Sequence, residues 1–197
     1  MKIPIRRGHS IKSTKVRIVV LLSGGIDSAA TLAVYHKKKA VIDAVFVDYG
    51  QPSRRSEWES AQSIAEHYQT PLIKIRLGFR PKNTDGEVFC RNALMAMAAG
   101  AIIDVRPLVI AMGIHSASPY YDTTETFVGD LQRLFDGYAG GAIALGMPFL
   151  ELTKSEIVKF ARRHRVPISL TYSCERRSAP PCGNCPSCMD RMALNVV

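Results

Sequence analysis

A run of apolar residues that ends in Ser-Gly-Gly constrains the fold of this chain more than any other feature. Five apolar residues from Ile18 to Leu22 follow one another without alternation, which is typical of a strand covered on both faces of a parallel sheet. The glycines after it predict a tight turn, and a helix is expected to begin at about Asp27. The free backbone N–H groups of that helix and the hydroxyls of Ser23 and Ser28 then converge on one small volume, which suits phosphate.

The turn does not match the common nucleotide-binding loops. It lacks the Gly-Lys-Ser/Thr of the Walker pattern and the third glycine of the dinucleotide fingerprint. Ser-Gly-Gly-x-Asp-Ser after a strand resembles instead the signature of the PP-loop ATP pyrophosphatases, which cleave ATP between the α and β phosphates and adenylate a second substrate. This resemblance implies that ATP contacts Leu22, Ser23, Gly24, Gly25, Ile26, Asp27 and Ser28. The alternative is a plain strand-turn-helix junction in which Asp27 or Ser28 only caps the helix.

Strands and helices are predicted to alternate along the rest of the chain, which favours an α/β fold with a Rossmann-like parallel sheet between helices. Asp48 follows the second strand, at the edge where open sheets bind ligands and where an acid can meet a ribose hydroxyl; a plain strand-end acid is the alternative. Thr153 and Glu156 form a capping-box pattern at a helix start. After the first strand, the other predicted strands begin at Val41, Leu72, Pro107 and Ala142, and the predicted helices run over about Asp27–Lys38, Arg54–Gln69, Arg91–Ile103, Thr124–Gly137 and Thr153–His164, with an exposed loop over 78–87.

Four of the five cysteines lie within a short C-terminal stretch, the last three of them as Cys-Gly-Asn-Cys-Pro-Ser-Cys. Four thiolates leave no open coordination position, so this pattern predicts a structural Zn²⁺ ion held by Cys174, Cys182, Cys185 and Cys188. Disulfides and an iron–sulfur cluster are the alternatives. Cys90 stands alone in an apolar context and is expected in the core.

Composition sets the remaining expectations. A chain of 197 residues with 47% hydrophobic content can bury one sizeable core. It has neither an apolar run of about 18 residues, which a membrane span needs, nor a signal peptide. We therefore expect a cytoplasmic protein without membrane contact. The 26 Lys and Arg against 17 acids give a net charge of +9, which suits anionic partners. We predict a flexible basic arm over 1–15, an ATP-binding domain over 16–172 and a zinc-binding segment over 173–197.

The chain resembles the 7-cyano-7-deazaguanine synthase (QueC) family of PP-loop enzymes in motifs that extend from the first turn to the C-terminal cysteines. The matching motifs are Ser23–Ser28, Asp48–Gln51, Arg91-Asn92, Pro148–Ile157, Ser173-Cys174, Cys182–Cys188 and Arg191. The resemblance implies a homodimer that adenylates 7-carboxy-7-deazaguanine, replaces AMP with ammonia and repeats the activation to form the nitrile, with no nucleic acid as partner. It implies Asp27 as a catalytic Mg²⁺ ligand, Lys154 as a catalytic cation on the phosphates, and an acceptor pocket lined by Arg91, Asn92, Tyr120 and Asp122. For Lys154 the alternative is a solvated lysine in the first turn of a helix.

The sequence departs from the family pattern around the expected acceptor pocket. Cys90 replaces the glycine before Arg91, and only Ser118, Tyr120 and Asp122 match the family's pocket motif. A related enzyme that stops at the amide, or that joins the activated acid to another amine such as a protein terminus, is therefore an alternative. A zinc-containing module that binds RNA or protein without catalysis is a second alternative, which the intact Ser23–Ser28 turn argues against.

Overall fold

Five parallel strands form one sheet in a computed structural model that describes residues 16–37, 41–79, 83–84, 87–104, 107–115 and 119–196, with the backbone alone for 83, 84 and 87. The strand order is β3-β2-β1-β6-β7. The strands of this sheet are β1 (Arg17–Leu21), β2 (Val41–Asp48), β3 (Leu72–Arg76), β6 (Leu108–Ala111) and β7 (Ile143–Gly146), and a short antiparallel pair consists of β4 (Asn83–Thr84) and β5 (Glu87–Val88). The predicted α/β class is confirmed.

Six helices accompany the sheet in the described part of the chain: α1 (Ile26–His36), α2 (Arg54–His67), α3 (Arg91–Ile102), α4 (Glu125–Ala139), α5 (Lys154–Arg163) and α6 (Pro186–Ala193). The pleat of β1 directs Ile18 and Val20 to one face of the sheet, where α1, α2 and α5 pack, and Val19 and Leu21 to the other, where α3 and α4 pack. Both faces are therefore covered, as the unbroken apolar run of β1 predicts.

The position of β1 within the sheet determines where a ligand can bind. It pairs with β2 on one side and with β6 on the other, so the order of the strands reverses next to it. Open α/β sheets bind ligands at such a point, outside the carboxyl ends of the strands. The turn that follows β1 lies there.

The predicted elements are present, with ends that differ by a few residues. The antiparallel pair β4–β5 was not predicted, because two-residue strands carry no detectable period. Helix α6 was not predicted either, because the cysteine spacing indicated only turns. The predicted basic arm over 1–15 and Ser118 lie outside the described residues.

The prediction that Cys90 lies in the core is wrong. Cys90 is exposed and precedes α3 with a φ of 58°, in the left-handed region. This conformation favours glycine, because the Cβ of an L residue lies too close to the following carbonyl oxygen there. The residue directly before the Arg91-Asn92 pair therefore has a strained backbone conformation.

We expect Cys90→Gly to be more stable than Cys90→Ala by about 0.5–1 kcal/mol. The left-handed conformation costs an L residue about 1–2 kcal/mol, and the larger unfolded-state entropy of glycine offsets part of that gain. Urea unfolding of the two variants measures the difference. Equal free energies of unfolding would contradict the assigned strain.

Candidate active site

The turn between β1 and α1 is built from hydroxyls and backbone groups that face one another. The Ser28 hydroxyl donates to the Gly25 carbonyl at 2.9 Å, and the Ser23 hydroxyl lies 3.2 Å from that of Ser28. The Gly25 N–H donates to the Ser23 hydroxyl at 3.4 Å. Since the first N–H groups of α1 have no partner within the helix, the turn presents several donors to a single small volume.

Gly24 allows α2 to approach this turn. Its φ is 86°, and a Cβ placed on it would lie 2.5 Å from the backbone oxygen of Glu57. A side chain would therefore separate the turn from α2. Close packing against α2 therefore explains why the first residue of the Gly24-Gly25 pair is glycine.

Asp27 and Lys154 lie together, although 127 positions separate them in the sequence. Lys154 begins α5, where the predicted capping box of Thr153 and Glu156 is present. Its Nζ donates to Asp27 Oδ2 at 2.5 Å, and both side chains are 23% exposed. The other oxygen, Asp27 Oδ1, is buried and accepts no hydrogen bond from the described residues. Such an unused carboxylate oxygen fits a Mg²⁺ ligand, because Mg²⁺ binds through one or two carboxylates and substrate phosphates.

A histidine that the sequence analysis did not single out also faces Asp27. His115 follows β6, and its Nε2 lies 3.9 Å from Asp27 Oδ2. Burial lowers the pKa of His115, although the Asp27 carboxylate opposes the shift. The position of His115 just after a predicted strand was the sequence signal that could have marked it as a site residue.

Gly113 brings the end of β6 against the first turn of α1. A Cβ on Gly113 would lie 2.7 Å from both the carbonyl carbon and the oxygen of Asp27. Backbone atoms cannot move aside as a flexible side chain can. Gly113 therefore helps to determine the position of Asp27.

The buried carboxylate of Asp48 is directed towards the neighbouring strand and its own turn. Its Oδ1 accepts from the Gly50 N–H at 3.1 Å, and its Oδ2 lies 3.7 Å from both Lys74 Nζ and Arg76 Nε. The predicted contact with a ribose hydroxyl stays a prediction. In this structure both oxygens face groups of the protein.

A buried network supports the turn after β2. The Gln51 amide donates to Glu57 at 2.7 Å, and the Ser53 hydroxyl donates to the other oxygen of the same carboxylate at 2.7 Å. Burial raises the pKa of Glu57, while these two hydrogen bonds and the nearby Arg91 charge oppose the shift. Burial also raises the pKa of Tyr49, with Arg91 opposing, so Arg91 lies beside this turn.

The predicted acceptor residues occupy one neighbourhood but bind largely to one another. Asn92 N–H donates to Asp122 Oδ2 at 3.2 Å, and the Asn92 side chain donates to the Asp122 carbonyl at 2.9 Å. Asn92 is 3% exposed and Asp122 8% exposed. Tyr120 is half-buried and precedes the 3-10 turn that contains Asp122, and Arg91 Nε lies 3.4 Å from Asn92 Oδ1. The structure thus joins the Arg91-Asn92 pair to the Asp122 segment.

The four clustered cysteines converge as predicted. The sulfurs of Cys174, Cys182, Cys185 and Cys188 all lie within 4.8 Å of one another, and three of the four residues are buried. Burial alone would raise the pKa of Cys174. Hydrogen bonds from backbone N–H groups, including that of Cys182, outweigh this effect and lower the pKa to about 6. This donor set could hold a metal ion.

The cysteine segment is attached directly to the turn after β1. The Tyr172 N–H donates to the Gly24 carbonyl at 2.9 Å, and the Ala179 N–H donates to the Ser56 hydroxyl on α2 at 2.9 Å. Arg191 on α6 donates to the hydroxyls of Thr171 and Ser173 at 2.8 and 3.3 Å. The segment that carries the four cysteines therefore borders the candidate active site.

The sequence model of the family described as "Queuosine biosynthesis protein QueC" matches residues 17–86 and 82–195. The chain belongs to the QueC family. A 7-cyano-7-deazaguanine synthase of Desulfitobacterium hafniense is 31% identical over 203 residues, covering 89% of this chain and 87% of that protein. A 7-cyano-7-deazaguanine synthase of Prochlorococcus marinus is 32% identical over 206 residues, covering 89% of this chain and 92% of that protein. The suspected family is thus confirmed.

Among solved structures, the chain is similar to a U34-tRNA thiolase, NcsA, from Methanococcus maripaludis with its [4Fe-4S] cluster. The TM-score is 0.52 at 12% identity, over 93% of this chain and 65% of that chain, just under two thirds of its length. This likeness shows that the chain and the thiolase share a fold, and nothing more. None of the helices in the described part of the chain has the length and apolar character that a membrane crossing requires.

We expect Gly113→Ala to destabilise the chain by about 1–3 kcal/mol and to displace Asp27, because the added methyl group meets backbone atoms. Gly137→Ala on α4 is the matched control, since a Cβ there meets nothing within 4 Å and alanine favours the helix. Thermal unfolding of both variants measures the effect. A Gly113→Ala variant as stable as the control would show that β6 does not press on the turn.

Proposed function

We propose that this chain is an ATP-dependent carbon–nitrogen ligase that converts 7-carboxy-7-deazaguanine and ammonia to 7-cyano-7-deazaguanine, releasing AMP and diphosphate. The observation that carries the proposal is the arrangement of the turn after β1. Backbone donors meet Lys154 there, together with an oxygen of Asp27 that has no hydrogen-bond partner among the described residues. Membership of the QueC family and the names of its relatives supply the acceptor.

The reaction requires activation, because ammonia cannot displace oxide from a carboxylate. In the proposed first step the acceptor carboxylate attacks the α phosphorus of ATP, the bond to diphosphate breaks, and an acyl adenylate forms. Ammonia then displaces AMP and gives the amide. A second ATP activates the amide oxygen in the same way, and loss of AMP with the remaining amide protons leaves the nitrile.

The residues of the turn perform the phosphate part of this chemistry. Ser23, Ser28 and the N–H groups around Gly25 hold the β and γ phosphates and stabilise the departing diphosphate. The Lys154 ammonium adds positive charge at the same place. Asp27 Oδ1 is the oxygen that would hold Mg²⁺, which supplies charge neutralisation to the phosphates when bound.

The acceptor pocket is assigned to the segments around Arg91 and Tyr120. The Tyr120 ring offers a face on which a planar base can stack, and the Arg91 guanidinium can hold an anionic acceptor. Asp122 Oδ2 and the Asn92 side chain hold the two segments together, which leaves Asp122 Oδ1 for the amine edge of the base.

A second candidate function rests on Cys90. Its exposed side chain stands in a left-handed conformation directly before Arg91, at the position where the family pattern has glycine. The added side chain changes the entrance of the proposed acceptor pocket. An enzyme that stops at the amide, or joins the activated acid to another amine, would keep the turn after β1 unchanged.

We propose Zn²⁺ as the ion of the cysteine cluster. Zn–S bonds of about 2.3 Å place tetrahedral sulfurs about 3.8 Å apart, and the sulfurs here lie within 4.8 Å of one another. A [4Fe-4S] cluster binds each cysteine through a different iron, so its four sulfurs stand further apart. The observed spacing therefore favours a single ion.

We expect the purified protein, given ATP, Mg²⁺, 7-carboxy-7-deazaguanine and ammonia, to release AMP and form the nitrile. Asp27→Ala should lower AMP formation by at least about 100-fold, because it removes the proposed Mg²⁺ ligand and the partner of Lys154. Chromatography of AMP and mass spectrometry of the product measure both outcomes. Gly137→Ala serves as the active control.

Each other result of this assay has a separate meaning. AMP with accumulating amide and no nitrile would select the second candidate function. Undiminished AMP formation by a folded Asp27→Ala variant would contradict the role of the turn.

We expect one zinc equivalent per chain by elemental analysis. The Cys182→Ala/Cys185→Ala double variant should lose the ion, whereas Cys90→Ala should retain it, because Cys90 lies outside the cluster. Iron and labile sulfide in place of zinc would contradict the proposed ion. A full zinc equivalent in the double variant would contradict the proposed ligands.

A further inference from the structure

A basic cleft lies beside β3, where β2 and β3 end. Two adjoining cavities of about 340 and 520 Å³ share Asp48, Arg54 and Arg76 as lining residues. Each has the volume of a small-ligand site. We define the basic cleft by six lining residues: Arg54, Arg55, Trp58, Lys74, Arg76 and Phe79.

Among the described lining residues of the basic cleft, cations outnumber carboxylates. Four cations line it, and Asp48 is the one carboxylate among its described lining residues. That carboxylate faces Lys74 and Arg76 at 3.7 Å. Arg54 and Arg55 form no ion pair with any carboxylate in the described part of the chain. Arg54 Nη1 donates to the Gln51 carbonyl at 3.4 Å, and the remaining N–H groups of both guanidinium groups can bind an anion.

Neither the helix dipole nor ion pairing among the described residues explains these arginines. Arg54 and Arg55 are the first two residues of α2, at the positive end of the helix dipole, where a cation is unfavourable. The side chain of Arg76 is 77% exposed, so its pairing with Asp48 adds little to stability. A surface that concentrates like charges without compensation attracts polyanions.

Aromatic side chains accompany the cations. Phe79 lies at the end of the larger cavity with 59% of its surface exposed. Trp58 lines the smaller cavity, with Lys74 Nζ 4.6 Å from its ring centroid. An exposed aromatic ring next to guanidinium groups is the combination that binds bases and phosphates together.

We propose that the basic cleft binds a nucleotide unit, with its phosphate on Arg54, Arg55 and Arg76 and its base stacked on Phe79. A free nucleotide and a single-stranded nucleic acid share this chemistry. Asp48, the predicted ribose contact of ATP, lines both cavities, so the cleft adjoins the edge of the sheet where ATP is expected. Arg54, Arg55, Arg76 and Phe79 are not among the residues assigned to ATP, and the proposal does not depend on the proposed reaction. The resemblance to the QueC family implied no nucleic acid as partner. The side chains of the cleft are spread from position 54 to position 79 and meet only in the fold.

Trp58 allows a direct test, because it is the single tryptophan of the chain and lines the cleft. The wild-type protein is titrated with uridine monophosphate and, separately, with an oligouridine of about ten residues, while Trp58 fluorescence is recorded. We expect a saturable change in fluorescence that weakens as salt is raised. Neither probe requires turnover, so a failed activity assay would not affect this result.

The variant Arg55→Gln/Arg76→Gln should weaken binding about ten-fold or more at low salt. For a single strand, removing two phosphate contacts should also lower the slope of log affinity against log salt by about 1.4. Phe79→Ala should weaken binding at least about five-fold through the lost stacking. The control is Lys159→Gln/Arg163→Gln on α5, which removes the same charge elsewhere and should bind as the wild type does. Circular dichroism checks that each variant is folded.

The two probes distinguish the two sources. Equal affinity for both would support a free nucleotide, and tighter binding of the oligouridine would support a nucleic-acid strand. The proposal would be overturned by the absence of a saturable change with either probe. It would equally be overturned if Arg55→Gln/Arg76→Gln weakened binding no more than the α5 control.

Discussion

Close backbone contacts at the turn between β1 and α1 determine the arrangement of the whole candidate site. The turn meets α2 at Gly24, the end of β6 at Gly113, and the cysteine segment through the hydrogen bond from Tyr172. These contacts join segments that are far apart in sequence, and they leave no room for an added methyl group at either glycine. The positions of Asp27 and Lys154 therefore depend on packing as well as on their own ion pair.

Asp27 shows how the site keeps a reactive group available. One carboxylate oxygen is neutralised by Lys154, while the buried second oxygen has no partner among the described residues. A buried acceptor without a partner costs about 1–3 kcal/mol, and such groups in native structures usually have a functional explanation. The fold thus tolerates a local cost at the place where phosphate and a cation are expected.

The sequence predicted what depends on local patterns. The apolar run of β1, the capping box of Thr153 and Glu156, and the spacing of the cysteines each led to the observed structure. It did not predict what depends on contacts through space, such as His115 beside Asp27 or the cations of the basic cleft. Cys90 was misplaced because hydrophobicity suggested burial, whereas its φ made it part of an exposed turn.

The hydrogen bond from the Tyr172 N–H to the Gly24 carbonyl joins two main-chain groups. Every residue except proline carries that donor, so replacing side chains one at a time would leave the link intact. An alanine scan would therefore detect the side-chain contact of Ser56 with this segment but would miss the direct bond to the turn. Chemical synthesis of the chain with an ester in place of the amide at residue 172 would remove the donor without altering any side chain. Only such a change to the backbone isolates the connection between the two regions.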